Sequence, residues 1–526
     1  LDWGVEFSED HKLKFTTMLL RQSEDTTTLR RGFDIDLGRD TQVTRLSWVE
    51  RQVFLQQLHG SHTFDRLRDL KIDWRYSYAQ ASRYEPDRRD YQYSSPVGGN
   101  AFALDTGASN QRLWGDLNDK TNEGQLDFVQ PFPIWQDMKA KLKFGAYLYR
   151  RQRDAWVRRF EYNVAGLPAD VAALPPDQIF TPANIGMGAQ FREVSLANDT
   201  YDASMDLQAG YVSMELPVYK RLDLMGGARL EHAVIEVSTF DQFAPDKPPE
   251  LARLDNLDAL PAATATWRFI DDYQLRAGYS RTLNRPDLRE LSSGQFNDVE
   301  ANARLIGSPN LKRALIDSYD LRLEWYYSSD EVFSVGAFFK QFKDPIEATV
   351  QPGQELVYSF INTDKASIRG LELDARKRFS FIHEKLESLY LAGNISWIDS
   401  EVQIETLNMG TYKRPLQSQS PWVINAQLGW DNSAPGGTGT AVALLYNVSG
   451  RRIRAVGDPN FSVPDQYENP FHRVDLVFSQ ALPHGLRLGI KGQNLLNSEQ
   501  TWRQGDVIVR RFRRGVDVAA SLAWSY

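Results

Sequence analysis

Six arginines gather late in the chain, Arg451, Arg452 and Arg454 in one segment and Arg510, Arg511 and Arg513 in another. A guanidinium is a planar fork of N–H donors that stays charged throughout the physiological range, which suits it to an anionic ligand. Aromatic side chains recur in the same kind of stretch: Tyr91, Tyr93, Phe102 and Trp114, then Phe180 and Phe191, then Phe461 and Tyr467. Aromatic faces beside cations can hold sugars, catecholates or peptides. The candidate ligand-binding residues are therefore Tyr91, Tyr93, Phe102, Trp114, Phe180, Phe461, Arg452 and Arg511. The competing assignment gives the arginines to lipopolysaccharide phosphates and the aromatics to a membrane girdle.

Other chemistry finds little to build on. The chain has no cysteine, which removes disulfides, thiolate catalysis and Cys-based metal sites together. Its seven histidines are scattered, with no H-E-x-x-H and no tight pair of strong metal type. His59 and His62 are the closest, and they read as flanks of a solvated turn. Asp116, Asn118, Asp119, Asn122 and Glu123 form an oxygen-rich run that lacks the calcium-loop glycine, so it reads as a strand entry. No convergent acid, base or nucleophile stands out, so neither an enzyme nor a resident metal or cofactor is expected. The net charge of −8 is modest for this length and the basic residues are dispersed, so a nucleic-acid partner is not expected either.

The elements that must carry these residues announce themselves by a period of two. Phe512, Val516, Val518, Ala520, Leu522, Trp524 and Tyr526 alternate with Arg513, Gly515, Asp517, Ser521 and Ser525. Leu70, Ile72, Trp74, Tyr76 and Tyr78 alternate with Lys71, Asp73, Arg75 and Ser77, and the pattern recurs at 321–327, 333–340, 442–449 and 486–493. Strands with one apolar and one charged face, repeated along a whole chain, fit a membrane β-barrel with lipid outside and water inside. No apolar run is long enough for a membrane helix. Charged residues at 25% and a mean hydropathy of −0.47 fit such a barrel, because half of each strand and every loop face water.

The pattern predicts an all-β transmembrane antiparallel barrel with nineteen visible strands. Short connections are expected near 8–11, 60–69, 130–136, 219–221, 270–273, 328–331, 379–384, 432–438 and 482–485. Long ones are expected near 23–41, 85–113, 159–198, 239–255, 284–312, 346–357, 404–414, 453–468 and 500–508. Short turns belong in the periplasm and long loops outside, which puts Tyr526 at the periplasmic end. Ala434-Pro-Gly-Gly437, Pro483-His-Gly485 and the Asp271-Asp272 pair supply turn chemistry. Nineteen is odd, whereas bacterial barrels normally have an even number of strands. The expectation is that residues 1–526 are the C-terminal part of a 22-stranded barrel, with about three first strands and an N-terminal plug domain upstream, along with the signal segment that outer-membrane export requires.

Several segments, in order, resemble the barrel region of TonB-dependent outer-membrane receptors. They are Leu46-Ser-Trp-Val-Glu-Arg51, Gln56-Gln-Leu-His-Gly-Ser-His62, Asp73-Trp-Arg-Tyr-Ser-Tyr-Ala79, Gly278-Tyr-Ser-Arg-Thr-Leu-Asn-Arg-Pro-Asp287, Gly307-Ser-Pro-Asn-Leu-Lys312, Phe339-Lys-Gln-Phe-Lys-Asp-Pro-Ile346, Gly370-Leu-Glu-Leu373 and Gly492-Gln-Asn-Leu-Leu-Asn497. The resemblance implies a barrel in the cell outer membrane, filled by its own plug domain, that imports a ferric siderophore, cobalamin, oligosaccharide or peptide with energy from TonB, ExbB and ExbD. No TonB box is visible here, so energy coupling rests on the resemblance. On this footing Arg276, Arg281, Arg285, Glu372 and Asp374 are expected to contact the plug or line the lumen. Outer-membrane lipid and lipopolysaccharide would surround the wall. An alternative is a barrel of the same descent that holds surface lipoproteins or a secretion or motility complex without active transport.

Overall fold

The computed structural model describes residues 1–34, 38–95, 101–105, 110–135, 138–298, 303–351, 357–406, 410–433 and 438–524. Alternating sequence becomes one large antiparallel sheet. Its wall consists of nineteen strands: Asp2–Ser8, His11–Asp34, Arg39–Phe64, Leu70–Ser95, Asn110–Pro133, Lys139–Asn163, Thr200–Tyr219, Leu222–Phe240, Glu250–Ile270, Tyr273–Asn284, Ala314–Ser328, Glu331–Lys343, Lys365–Arg378, Leu389–Thr406, Trp422–Asp431, Gly439–Ser449, Arg473–Ala481, Leu486–Gln493 and Asp517–Trp524. Each pairs with the next, and Ala103–Leu104, Gln190–Glu193 and Gly410–Arg414 extend the sheet as short pieces. Among the described residues, no helix is long and apolar enough to cross a membrane.

The register shows which solvent each face meets. Leu222, Trp267, Leu275, Leu323, Val335, Leu373, Ile395, Ile424 and Val448 are successive cross-strand partners. One residue along, the row reads Gln274, Glu324, Ser334, Asp374, Asn394, Asn425, Asn447 and Arg473. In the apolar row Leu323 is 42% and Ile395 48% exposed, whereas Glu324 and Ser334 in the polar row are buried. A water-soluble sandwich has the opposite arrangement. The apolar face meets lipid, and the polar face lines the hollow, where amides, carboxylates and guanidiniums satisfy one another.

The polar row is bonded from strand to strand. Glu324 accepts from Arg276 at 3.1 Å and Arg322 at 3.0 Å, and Arg322 also reaches Asp374 at 3.0 Å. Asn425 donates to Asn394 at 2.8 Å and Asn447 to Asn425 at 2.5 Å. Slipping one strand by a residue would break these bonds and push charges into hydrocarbon, so the register is fixed from both sides.

Several connections are shorter than expected. Much of 23–41 and 85–113 continues as strand, and the first short connection after Gly60 begins only past Phe64. The five strands from His11 to Asn163 run for 24–26 residues, well beyond the 9–11 that cross a bilayer. On Lys139–Asn163 the outward residues are apolar from Ala140 to Leu148 and then become Arg150, Gln152 and Asp154. The lower stretch is the lipid belt, and the strand stands in water above it. Water on both faces removes the alternation that would have marked a strand there.

The turns follow their residue types. Asp272 (φ 68°), His484 (φ 62°) and Gly485 (φ 74°) take the left-handed conformation in the tight connections where they were placed. The 434–437 turn and Tyr526 lie outside the described residues. His59 and His62 separate onto opposite faces. His62 Nδ1 lies 3.3 Å from His11 Nδ1 on the lipid side, while His59 lies 3.9 Å from Asp73 on the inner side.

Candidate functional site

One bulge determines what faces the mouth. Between Glu85 and Arg88 the strand Leu70–Ser95 sets Pro86 and Asp87 against Trp114 alone, and on its other side it runs four residues, 85–88, against the three at 47–49, one extra residue in both pairings. Pro86 cannot donate to the ladder, and Asp87 sits at φ 60°. The strand therefore changes phase. Arg88 and Asp90 turn inward, and Arg89, Tyr91 and Tyr93 turn outward.

The inward turn builds a crowded cluster of charge above the lipid belt. Arg45 Nε donates to Asp90 at 2.5 Å, Arg88 Nε approaches the same carboxylate at 3.3 Å, and Arg83 reaches Glu85 at 2.8 Å. Arg159 pairs with Asp199 and donates to the Gln295 carbonyl at 3.1 Å. Arg83, Arg88, Arg159 and Arg289 line a cavity of 220 Å³ with Tyr201 and Gln295. Burial pulls the Arg88 guanidinium below its ordinary range, and Arg45 and Arg159 add to this against Asp90 and Glu85. Arg30 is lowered by burial too, with further repulsion from Arg45 and from Arg510. Arg510 belongs to the last long loop, which thus comes within electrostatic reach of the first strands. Arginines crowded until they repel one another are relieved by an anion.

A loop folded into the mouth closes this cluster from within. Leu288–Leu291 is one helical turn capped by Asp287, whose carboxylate accepts from Arg289 N while Glu290 bonds back to Asp287 N. Leu288, Leu291 and Leu311 pack on the inward residues Ala155, Tyr201, Ile235 and Val237. Gly307 explains one of the matched segments: a Cβ there would lie 2.1 Å from the Ser292 carbonyl oxygen. Asn362 then pins the loop's exit, accepting from Lys312 N at 2.7 Å and donating to Lys312 O at 3.0 Å.

The residues expected to face the lumen divide. Arg276, Glu372 and Asp374 lie on the inward rows. Arg285 also points inward, 2.8 Å from Glu231, beside the Arg313–Asp258 pair. Arg281 does not. It shares the outward row with Tyr279 and Tyr319 and pairs there with Asp317 at 2.9 Å, because odd positions of Tyr273–Asn284 face lipid. Arg376, on the same inward face as Glu372 and Asp374, lies over the Tyr390 ring at 4.3 Å. In the oxygen-rich run, Asp119 is held by Arg151 and Arg153.

The ligand-binding candidates divide as well. Tyr91, Tyr93, Phe102 and Phe180 meet in one cavity of 700 Å³, but on the outward face of the wall. The segment 164–189 folds back over that face, with Phe180 stacked on Tyr162 at 4.0 Å and on Tyr91 at 5.6 Å, and Tyr93 Oη donating to Leu174 O at 2.8 Å. Trp114 stands beside it, edge-on to Phe160 at 5.3 Å. Arg452 pairs with Glu468 and Arg511 with Glu499, both on the small sheet formed by the last two long loops. The Phe461 side chain lies outside the described residues. Arg88 and Arg159, which sequence analysis passed over, dominate the inner cluster. Pro86 in the middle of a long alternating stretch was the available signal for them.

Comparison with known proteins agrees with this architecture. The chain is 22% identical over 325 residues to an iron-regulated outer membrane virulence protein of Vibrio cholerae serotype O1, a match covering 59% of this chain and 44% of that protein. The chain thus aligns with less than half the length of this curated relative. The solved siderophore receptor PiuA from Acinetobacter baumannii is 9% identical with a TM-score of 0.56, covering all of this chain and 79% of that one. The ferric-catecholate import receptor Fiu from E. coli K12 is 12% identical with a TM-score of 0.53, covering 95% and 75%. These structures share the fold. The model of the TonB dependent receptor-like β-barrel matches residues 2–495, and with lipid rows outside and ion-paired rows inside, the chain belongs to that family of outer-membrane barrels.

Proposed function

We propose that the chain forms the wall of a receptor that imports a scarce, bulky, anionic ligand, with a ferric siderophore the first to test, past a plug domain and with energy supplied through TonB, ExbB and ExbD. The observation that carries this reading is the crowding of Arg30, Arg45, Arg88 and Arg159 around Asp90, Glu85 and Asp199 on the inner face, with Arg510 of the last long loop near enough to repel Arg30. The relatives, an iron-regulated outer membrane virulence protein and a siderophore receptor, support the choice of ligand class.

The same proposal includes three further strands that complete the wall. Among the described residues, Asp2–Ser8 pairs only with His11–Asp34, and Asp517–Trp524 only with Leu486–Gln493. Both edge strands run toward the short-turn end, so antiparallel closure takes an odd number of added strands. An unpaired edge in hydrocarbon would cost several kcal/mol for each bare backbone group.

Arg88→Gln and Arg510→Gln are expected to weaken binding of the transported chelate by roughly 10–100-fold each, the scale of one lost charge-assisted hydrogen bond. Outer-membrane assembly, followed by heat-modifiable gel mobility, should be unchanged. Uptake of labelled ferric chelates, cobalamin and glycans by a deletion strain identifies the ligand. Unaltered uptake across the panel, with a surface protein co-purifying in stoichiometric amount, would replace import by a scaffold role.

A further inference from the structure

We infer that the outward cavity at Tyr91, Tyr93 and Phe102 binds the saccharide chain of lipopolysaccharide molecules standing beside the barrel. This inference is independent of the imported ligand. Gln42, Thr44, Arg89, Tyr91, Tyr93, Arg112 and Tyr162 all lie on the face that meets lipid lower down. The wall strands separate this cavity from the inner face, so a ligand reaches it from the side.

Height selects the occupant. From Leu148, the end of the unbroken apolar run on the outward face of its strand, to Tyr162 is about 46 Å along a strand at 3.3 Å per residue, or roughly 35 Å above that run at a 40° tilt, with Trp156 and Phe160 the isolated aromatics between. Hydrocarbon and its headgroups end well below that level. The sugars of anchored glycolipids extend past it.

The chemistry of the lining agrees. Tyr91, Tyr162 and Phe180 form a stacked platform, and Arg31 lies over the Phe102 ring at 4.7 Å. Aromatic faces with polar groups at their edge suit the C–H and O–H faces of a sugar ring. The two guanidiniums that line the cavity are already engaged: Asp87 accepts from Arg112 at 2.5 Å and from Arg89 at 2.5 and 2.9 Å. Asp177 adds a second carboxylate. These four charges cancel and Arg31 leaves a single positive charge beside Phe102, so hydroxyl groups find more partners here than the multiply charged phosphates of lipid A. Burial pushes the Tyr93 phenol up to about 12, and its O–H already donates to the Leu174 carbonyl, so toward a sugar hydroxyl the Tyr93 oxygen acts as an acceptor.

The test uses the full-length receptor in detergent and the delipidated core oligosaccharide released from lipopolysaccharide, which cannot bind through the lipid belt. Calorimetry should show binding that weakens roughly tenfold or more in an Arg89→Ala/Phe102→Ala variant, while chelate uptake is unchanged. In the unaltered receptor, saturation-transfer NMR should carry signal from aromatic protons to the sugar, so the inference does not depend on the variant's folding. Equal affinity of the two proteins for the oligosaccharide would overturn it. So would competition by the transported chelate, or a protein partner that protects these residues in place of the glycan.

Discussion

Glu347→Ala is expected to speed amide exchange in Ile346–Gln351 by roughly 10²–10⁴-fold, the local equivalent of the roughly 3–5 kcal/mol that removing one partner of a buried ion pair costs. Glu347 Oε2 lies 2.9 Å from Arg414 Nη2, with the side chains only 8% and 3% exposed. The pair ties a loop strand, Ile346–Gln351, to Gly410–Arg414 at the top of the wall. Burial raises the carboxyl of Glu347 above its usual range, against the pull of Arg414, so desolvation is the larger effect here. Without the carboxylate, Arg414 keeps, among the described residues, the Pro415 carbonyl at 3.1 Å and a long contact to Ala348 O at 3.5 Å. A Glu347→Leu/Arg414→Met double variant removes both charges and should exchange within about tenfold of the parent, because well-packed apolar replacements of buried pairs are often neutral or better. If the single variant exchanged as slowly as the parent, the pair would not anchor the loop. Hydrogen exchange read by mass spectrometry on the loop peptides distinguishes these outcomes.

The second large effect is a contrast between neighbours on one strand. Ile395→Arg places a guanidinium in the lipid row between Leu373 and Ile424 and is expected to cost about 2–4 kcal/mol near the midplane. Ser396→Arg adds the same group one residue on, where its cross-strand partner is Glu372. That change is expected to stay within about 1 kcal/mol, since the long side chain ends in water beside a carboxylate. Urea titration of the refolded barrel in lipid vesicles, read by tryptophan fluorescence, gives both numbers. Equal costs at the two positions would mean that they share one solvent.

Legibility in the sequence follows the lipid belt. Where one face meets hydrocarbon, a charge in the wrong phase costs kcal/mol, so Leu321, Leu323, Phe333 and Val335 alternate cleanly with Arg322, Glu324 and Ser334 and the nineteen strands could be counted. Above the belt that penalty disappears. Strand residues 23–34, 85–95 and 159–163 therefore read as loop, and the bulge at Pro86 and Asp87 escapes the reading although it exchanges inside for outside. Continuing the lower phase would have put Arg89 and Tyr91 over the lumen, where the structure puts Arg88 and Asp90. The same limit applies to the long loops. Nothing local distinguishes 164–189, which folds back over the outer surface, from 285–295 and 304–313, which fold into the mouth, because each is fixed by partners distant in sequence. Gly307 and Asn362 show how such information is distributed. The glycine marks close approach to the Ser292 carbonyl, and its matched segment could be recognised without revealing what it touches.

The claim beneath all of this is that neighbouring residues of one strand meet different solvents. Residues 1–526 contain no native cysteine, so single spin labels placed at Leu321, Arg322, Leu323 and Glu324 of the receptor in bilayers meet no competing label within this part of the wall. Collision rates should alternate, with oxygen dissolved in lipid reaching Leu321 and Leu323 and a water-soluble nickel chelate reaching Arg322 and Glu324. Rates that are uniform along the four positions, or that alternate with the two reagents exchanged, would contradict the account.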